Sequence, residues 1–195
     1  MAGDDFIRAF IAIHLPPDVL ANLERQHRSL RRALPGDGIR WTPPGQIHLT
    51  LKFLGDVPGG ALDELGETIA RGCRGTAPFA LQARGLGAFP GAQRPRVLWA
   101  GVEGELDVLR QLQERIEQET VRWREREARA FQPHLTLARI KVLPPGRAAA
   151  LGKKLAAAAA DFGQWRVEQV NLMRSHLSAT GVTHETLARY PLGNR

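Results

Sequence analysis

The chain has 195 residues, 43% hydrophobic and 24% charged, a balance that fits a globular protein and excludes a disordered segment or a membrane bundle. Its 27 Lys and Arg against 20 Asp and Glu give a formal net charge of +7, and only Lys52, Lys141, Lys153 and Lys154 are lysines. Arginine suits phosphate, because its planar fork donates two hydrogen bonds at once; the same charge also serves a merely solvated surface, so composition alone leaves RNA, DNA and acidic small molecules open.

In chain order, "FIRAFIAIHL" (6–15) is β-branched and aromatic and reads as a buried strand. "PPDVLANLERQHRSLRRAL" (16–34) opens on prolines and sets Leu23, His27, Leu30 and Leu34 at helical spacing. "IHLTLKF" (47–53) alternates like a strand, and a helix is expected over 60–73, with Leu62, Leu65, Ile69 and Cys73 on one face. Residues 79–89 and 96–102 read as strands, 105–123 as an amphipathic helix, and "QPHLTLARIK" (132–141) as a strand again. The alanine-rich 147–162 predicts a helix; 165–177 and 184–192 predict two strands joined by the turn-like "SATGVT". Strands and helices mix without strict βαβ alternation, so the expected class is α+β with mostly antiparallel sheets flanked by helices, one domain over 1–195 made of two similar lobes. No Gly-rich phosphate loop follows a strand, no apolar run approaches the ~20 residues of a membrane span, and the N-terminus lacks the pattern of a secretory leader. The one cysteine, Cys73, permits no intrachain disulfide, and a cytoplasmic setting is expected.

The four residues His-Leu-Thr-Leu occur twice, at 48–51 and 134–137. Alternate strand residues share a face. In the first copy Ile47, Leu49, Leu51 and Phe53 fall on one face, and His48, Thr50 and Lys52 on the other. In the second, Leu135 and Leu137 oppose His134 and Thr136. Beyond Thr136 the alternation breaks, since Arg139 takes the apolar parity; a bulge or the strand end near 138 would re-aim it. Two imidazoles supply one neutral base and one protonated acid near neutral pH, and two strands can hold them on opposite sides of a phosphorus atom for in-line attack. Threonine hydroxyls donate to the non-bridging oxygens, and β-branching limits their χ1. A zinc site built from His48 and His134 with His176 or His184 is the competing reading. Threonine is a poor zinc ligand, and neither repeat has a cysteine or carboxylate at ligand spacing.

With its flanks "RAFIAIHLP", "RWTPPGQIHLTLKFLGDV", "RPRVLWAGV", "FQPHLTLARIK" and "SHLSATG", the chain resembles the RNA 2′,3′-cyclic phosphodiesterases of the two-histidine phosphoesterase superfamily, also known as 2′-5′ RNA ligases, from about residue 6 to 192. The resemblance implies two pseudo-symmetric lobes with the active-site cleft between them. It implies hydrolysis of a terminal RNA 2′,3′-cyclic phosphate to a 2′-phosphate, with reverse 2′-5′ ligation in some members, and neither metal nor nucleotide cofactor. His48 is then the proton donor to the ribose 3′-oxygen and His134 the base that activates water. Thr50 and Thr136 hold the phosphoryl oxygens, Arg139 and Lys52 add positive charge, and Phe131 stacks on a base or anchors the core. His184 stands where members tend to carry an aromatic, often tyrosine. The expected partner is an RNA with a 2′,3′-cyclic phosphate end, a tRNA fragment for example, or a cyclic nucleotide, and the chain is expected to be a monomer that does not engage membranes. A non-catalytic module that reads RNA ends is the alternative from another class.

Overall fold

A computed structural model describes residues 6–34, 38–143, 145–157, 160–178 and 181–193. The strands are β1 (Phe6–His14), β2 (Ile39–Trp41), β3 (His48–Pro58), β4 (Phe79–Phe89), β5 (Val97–Gly104), β6 (His134–Ile140), β7 (Asp161–Val167), β8 (Gln169–Ser178) and β9 (Gly181–Pro191). The helices are α1 (Pro17–Ala33), α2 (Leu62–Cys73), α3 (Leu106–Glu119) and α4 (Pro145–Ala157). All recorded pairings are antiparallel, in the order β7-β4-β5-β6-β3-β1-β8-β9, with β2 beside β6. The α+β class is borne out as a curled antiparallel sheet with four helices.

The helices form where apolar spacing lets one face enter the core. In α1, Val19, Leu23, His27 and Leu30 are buried; Pro17 and Asp18 suit its first turn, and Arg31 and Arg32 its last. In α3, Leu109, Leu112 and Ile116 are fully buried, each stabilising by roughly 1.5–3 kcal/mol. Gly72 in α2 lies so close to Ile116 that a Cβ there would stand 3.1 Å from Cγ1. All four helices lie on the leucine face of the sheet, which leaves the histidine face uncovered by helices.

The sheet has two halves. One is β9-β8-β1-β3, the other β6-β5-β4-β7, and they meet at a seam whose register is a single pair, Leu49 opposite Leu135. These two leucines hold the same place in the two His-Leu-Thr-Leu copies, so an approximate twofold axis passes between them. The lobes interleave along the chain. β4 comes from the N-terminal half yet pairs with β5 and β7, while β8 and β9 come from the C-terminal end yet extend β1.

This interleaving corrects one expectation. The strand predicted over 165–177 is two strands, broken at Glu168, because β7 pairs with β4 in one lobe and β8 with β1 in the other. The helix predicted over 147–162 ends at Ala157, and Phe162 is buried as part of β7. Residues 158 and 159 of that stretch, and 179 and 180 of the predicted turn, lie outside the described residues. No helix among the described residues is long and apolar enough to cross a membrane.

Candidate active site

The two motifs lie side by side across the seam. Carried one residue either way, the antiparallel register sets His48 across from Thr136 and Thr50 across from His134. Leu49, Leu51, Leu135 and Leu137 are buried beneath, and the four polar side chains are half-buried on the open face. Directly opposed side chains on such a pair stand about 5 Å apart at Cβ, and diagonal ones roughly 7–8 Å. The two histidines occupy the diagonal, which leaves room for a phosphoryl group between them.

Each imidazole is held in the same way. Nδ1 of His48 lies 2.8 Å from the carbonyl oxygen of Gln46, and Nδ1 of His134 lies 2.7 Å from that of Gln132. A carbonyl oxygen only accepts, so both Nδ1 atoms carry the proton and donate it. Nε2 of each ring is left to exchange protons over the open face, and the bond to the carbonyl fixes the ring's orientation. The Thr50 and Thr136 hydroxyls have no side-chain hydrogen bond among the described residues, so both are available as donors.

The surroundings of the two rings differ. His48 packs on Phe10 (centroids 4.8 Å) and edge-on against His184 (5.2 Å), over a small buried cluster of Phe10, Ala12 and Met173. Desolvation by that dry floor, helped by the neighbouring His184, His14 and His134 and opposed by the bond to the Gln46 carbonyl, lowers its pKa to about 4. His134 stands edge-on to Phe89 at 5.1 Å, and Phe89 packs on Trp99 at 5.2 Å. The Trp99 ring lies over Gly87, where a Cβ would stand 2.1 Å from Cζ2, so only glycine admits it.

Both motifs bulge at their second leucine. Against β1, Thr50 pairs with Ala12 but Lys52 with Ile11, so Leu51 is the extra residue. Against β5, Thr136 pairs with Trp99 but Ala138 with Leu98, so Leu137 is the extra residue. The exposure patterns of β3 and β6 agree residue by residue from His to the seventh position. One residue of slip exchanges the faces beyond it. Arg139 therefore returns to the histidine face, as its register with Val97 requires, two residues along β5 from Trp99.

The same slip overturns the expected placement of Lys52. Its side chain is fully buried on the helix side, where Nζ meets Glu117 Oε2 at 2.7 Å and donates to the Arg124 carbonyl at 2.9 Å and the Glu117 carbonyl at 3.4 Å. Lys52 is therefore not beside the histidines, and its expected contact with substrate is corrected to a structural ion pair between β3 and α3. Phe53, expected in the core, is 49% exposed on the histidine face and packs on Phe10 at 5.9 Å. Phe131 is half-buried against the main core, and the ring at His134 is Phe89 instead.

Sequence parity in the two motifs did not reach His14, Phe10 or Phe89. His14 is the register partner of His48, with Nε2 3.2 Å from Met173 Sδ. The parity of "FIAIH" places Phe10, Ala12 and His14 on one face, but β1 is buried on both faces, which hides the signal. His27 is buried against Trp41 in the core, and His176 pairs with Glu185 at 2.8 Å.

Among proteins of known family, the family described as LigT like Phosphoesterase matches residues 13–99 and 101–184, one His-Leu-Thr-Leu copy in each span. An RNA 2′,3′-cyclic phosphodiesterase of Thermus thermophilus is 35% identical, covering 95% of this chain and 90% of its own. One of Methanothermobacter thermautotrophicus is 33% identical over 90% and 93%. The crystal structure of the Thermus thermophilus protein TT0787 superposes with a TM-score of 0.77 at 33% identity, covering 96% of this chain and 99% of that one. E. coli LigT complexed with 3′-AMP shares the fold, with a TM-score of 0.75 at 24% identity over 97% and 100%.

Proposed function

The chain belongs to the LigT-like phosphoesterases, and from that premise we propose that it hydrolyses the 2′,3′-cyclic phosphate at an RNA end to a 2′-phosphate. The observation that carries the reading is the pair of imidazoles on the seam, each with Nδ1 tied to a carbonyl and Nε2 open. Water between His134 and the phosphorus gives its proton to His134 Nε2 as its oxygen attacks. The P–O3′ bond breaks on the opposite side, and His48 Nε2 gives its proton to the departing 3′-oxygen. The O2′–P bond survives, which leaves a 3′-hydroxyl and a 2′-phosphate. Thr50 and Thr136 donate to the non-bridging oxygens as charge gathers there. The two histidines then exchange protons with solvent. With a ribose 5′-hydroxyl in the place of water, the same cycle joins the cyclic end to it through a 2′-5′ linkage.

Protonated His48 is scarce in the empty site, because burial holds its pKa at about 4. The negative charge of a bound phosphodiester raises that proton affinity, so the acid form assembles with the substrate. kcat/KM follows ionisation of the free enzyme and kcat that of the complex. kcat/KM is therefore expected to be bell-shaped in pH, as an acid and a base working together require, and substrate binding moves the His48 limb to higher pH in kcat. A flat kcat/KM profile would count against the two-histidine scheme.

Among the described residues, no group of three His, Cys, Asp or Glu side chains is placed to hold a metal ion. Turnover is expected to be unchanged by EDTA when conversion of the cyclic phosphate to the 2′-phosphate is read directly by chromatography. Loss of activity that added zinc restores would instead support the histidine–zinc reading. The chain is proposed to act as one two-lobed unit, a cytoplasmic monomer. Turnover of an RNA with a cyclic end distinguishes it from a module that only binds such ends, and kcat/KM on RNA compared with cyclic mononucleotides identifies the preferred substrate.

A further inference from the structure

Arg139 does not stand at the His–Thr square. Along β5, which runs without a bulge between them, it lies two residues beyond Thr136, a step of roughly 6.6 Å. It stands past the end of the square that holds His48 and Thr136. Its direct partner across the next strand is Arg40 of β2, and opposed residues share a face. Both arginines are exposed, and among the described residues neither forms an ion pair or a side-chain hydrogen bond. Like charges directly opposed across strands destabilise a sheet unless an anion lies between them. Arg40 also reaches across the open face, since its Nη2 stands 3.4 Å from where a Cβ on Gly181 of β9 would be. The symmetry-related position in the other motif is Phe53, so the twofold axis is broken here: one end of the square is cationic, the other aromatic.

We propose that Arg40 and Arg139 form a second phosphate subsite that holds the phosphodiester on the 5′ side of the terminal nucleotide while the His–Thr square works on the cyclic phosphate. The inference rests on the hydrolytic reading above and adds the substrate class: a chain of at least two nucleotides, not a cyclic mononucleotide. Guanidinium forks suit a phosphodiester because each presents two parallel donors. The second phosphate of an oligonucleotide lies one nucleotide from the reacting one, within an arginine's reach of the square.

The test compares adenosine 2′,3′-cyclic phosphate, which has no 5′-phosphate, with a short oligoadenylate ending in the same cyclic phosphate. The wild type is expected to prefer the oligonucleotide in kcat/KM. In Arg40→Gln and Arg139→Gln that preference falls at least about tenfold, mainly through KM, and Arg40→Lys restores part of it. The slope of log KM against log salt for the oligonucleotide also flattens by about 0.7 for each arginine removed. Equal losses on both substrates would place the arginines at the transferred phosphate, and unchanged kcat/KM on both would make them solvated surface charges; either result overturns the subsite. If the wild type turns over neither substrate, the hydrolytic reading itself fails, a result distinct from both.

Discussion

Replacing His48 or His134 with alanine is expected to lower hydrolysis of a 2′,3′-cyclic phosphate by about 10²–10⁴, the range a positioned general acid or base contributes. Each variant removes one end of the same proton path, so the double variant should fall little below the weaker single one. The fold should survive, because both rings are half-buried on the open face and each gives up one bond to a backbone carbonyl, worth about 0.5–1.5 kcal/mol. Circular dichroism and urea midpoints check this. His176→Ala is the internal control: its ring pairs with exposed Glu185, and turnover should match the wild type. Full activity in His48→Ala or His134→Ala would remove the two-histidine mechanism.

Lys52→Ala carries the largest expected effect on stability. The ammonium is sealed against the Glu117 carboxylate and also donates to two backbone carbonyls. Removing it strands the Glu117 carboxylate in a site only 5% exposed, which costs about 3–5 kcal/mol. For a chain of this size that is roughly a 6–20 °C drop in Tm. Lys52→Met combined with Glu117→Leu removes both charges together and should recover most of the loss. Activity should fall along with stability. The pair pins the residue just past the Leu51 bulge, Gln113 donates to the Leu51 carbonyl at 3.4 Å, and Thr50 comes immediately before it. A loss below about 1 kcal/mol would make the pair equivalent to a surface bridge and remove its role in holding the bulge.

The alternation inside each His-Leu-Thr-Leu copy was enough to place four side chains correctly, because within four residues a strand's parity depends only on its own sequence. Lys52, Phe53 and Arg139 were less legible. Their faces depend on an extra residue at Leu51 and Leu137, and a bulge exists only relative to the strand opposite. The broken alternation after Thr136 was visible, and so pointed to Arg139; in the first copy the alternation continues through Lys52 and Phe53, and parity misplaced both. The packing of His14 and His184 around His48 depends on pairings between β1, β3, β8 and β9, far apart in sequence. The interleaved lobes were invisible for the same reason: local propensity shows that 165–177 is extended, not that the chain changes lobes at Glu168.

The central claim is that His48 and His134 cleave P–O3′ and leave O2′–P intact. Phosphorus NMR of an RNA ending in a 2′,3′-cyclic phosphate tests it most directly, run with the wild type and with each histidine variant. The account predicts that the cyclic resonance converts to a 2′-phosphate alone in the wild type and persists in both variants. A 3′-phosphate product, or full conversion by either variant, would contradict it.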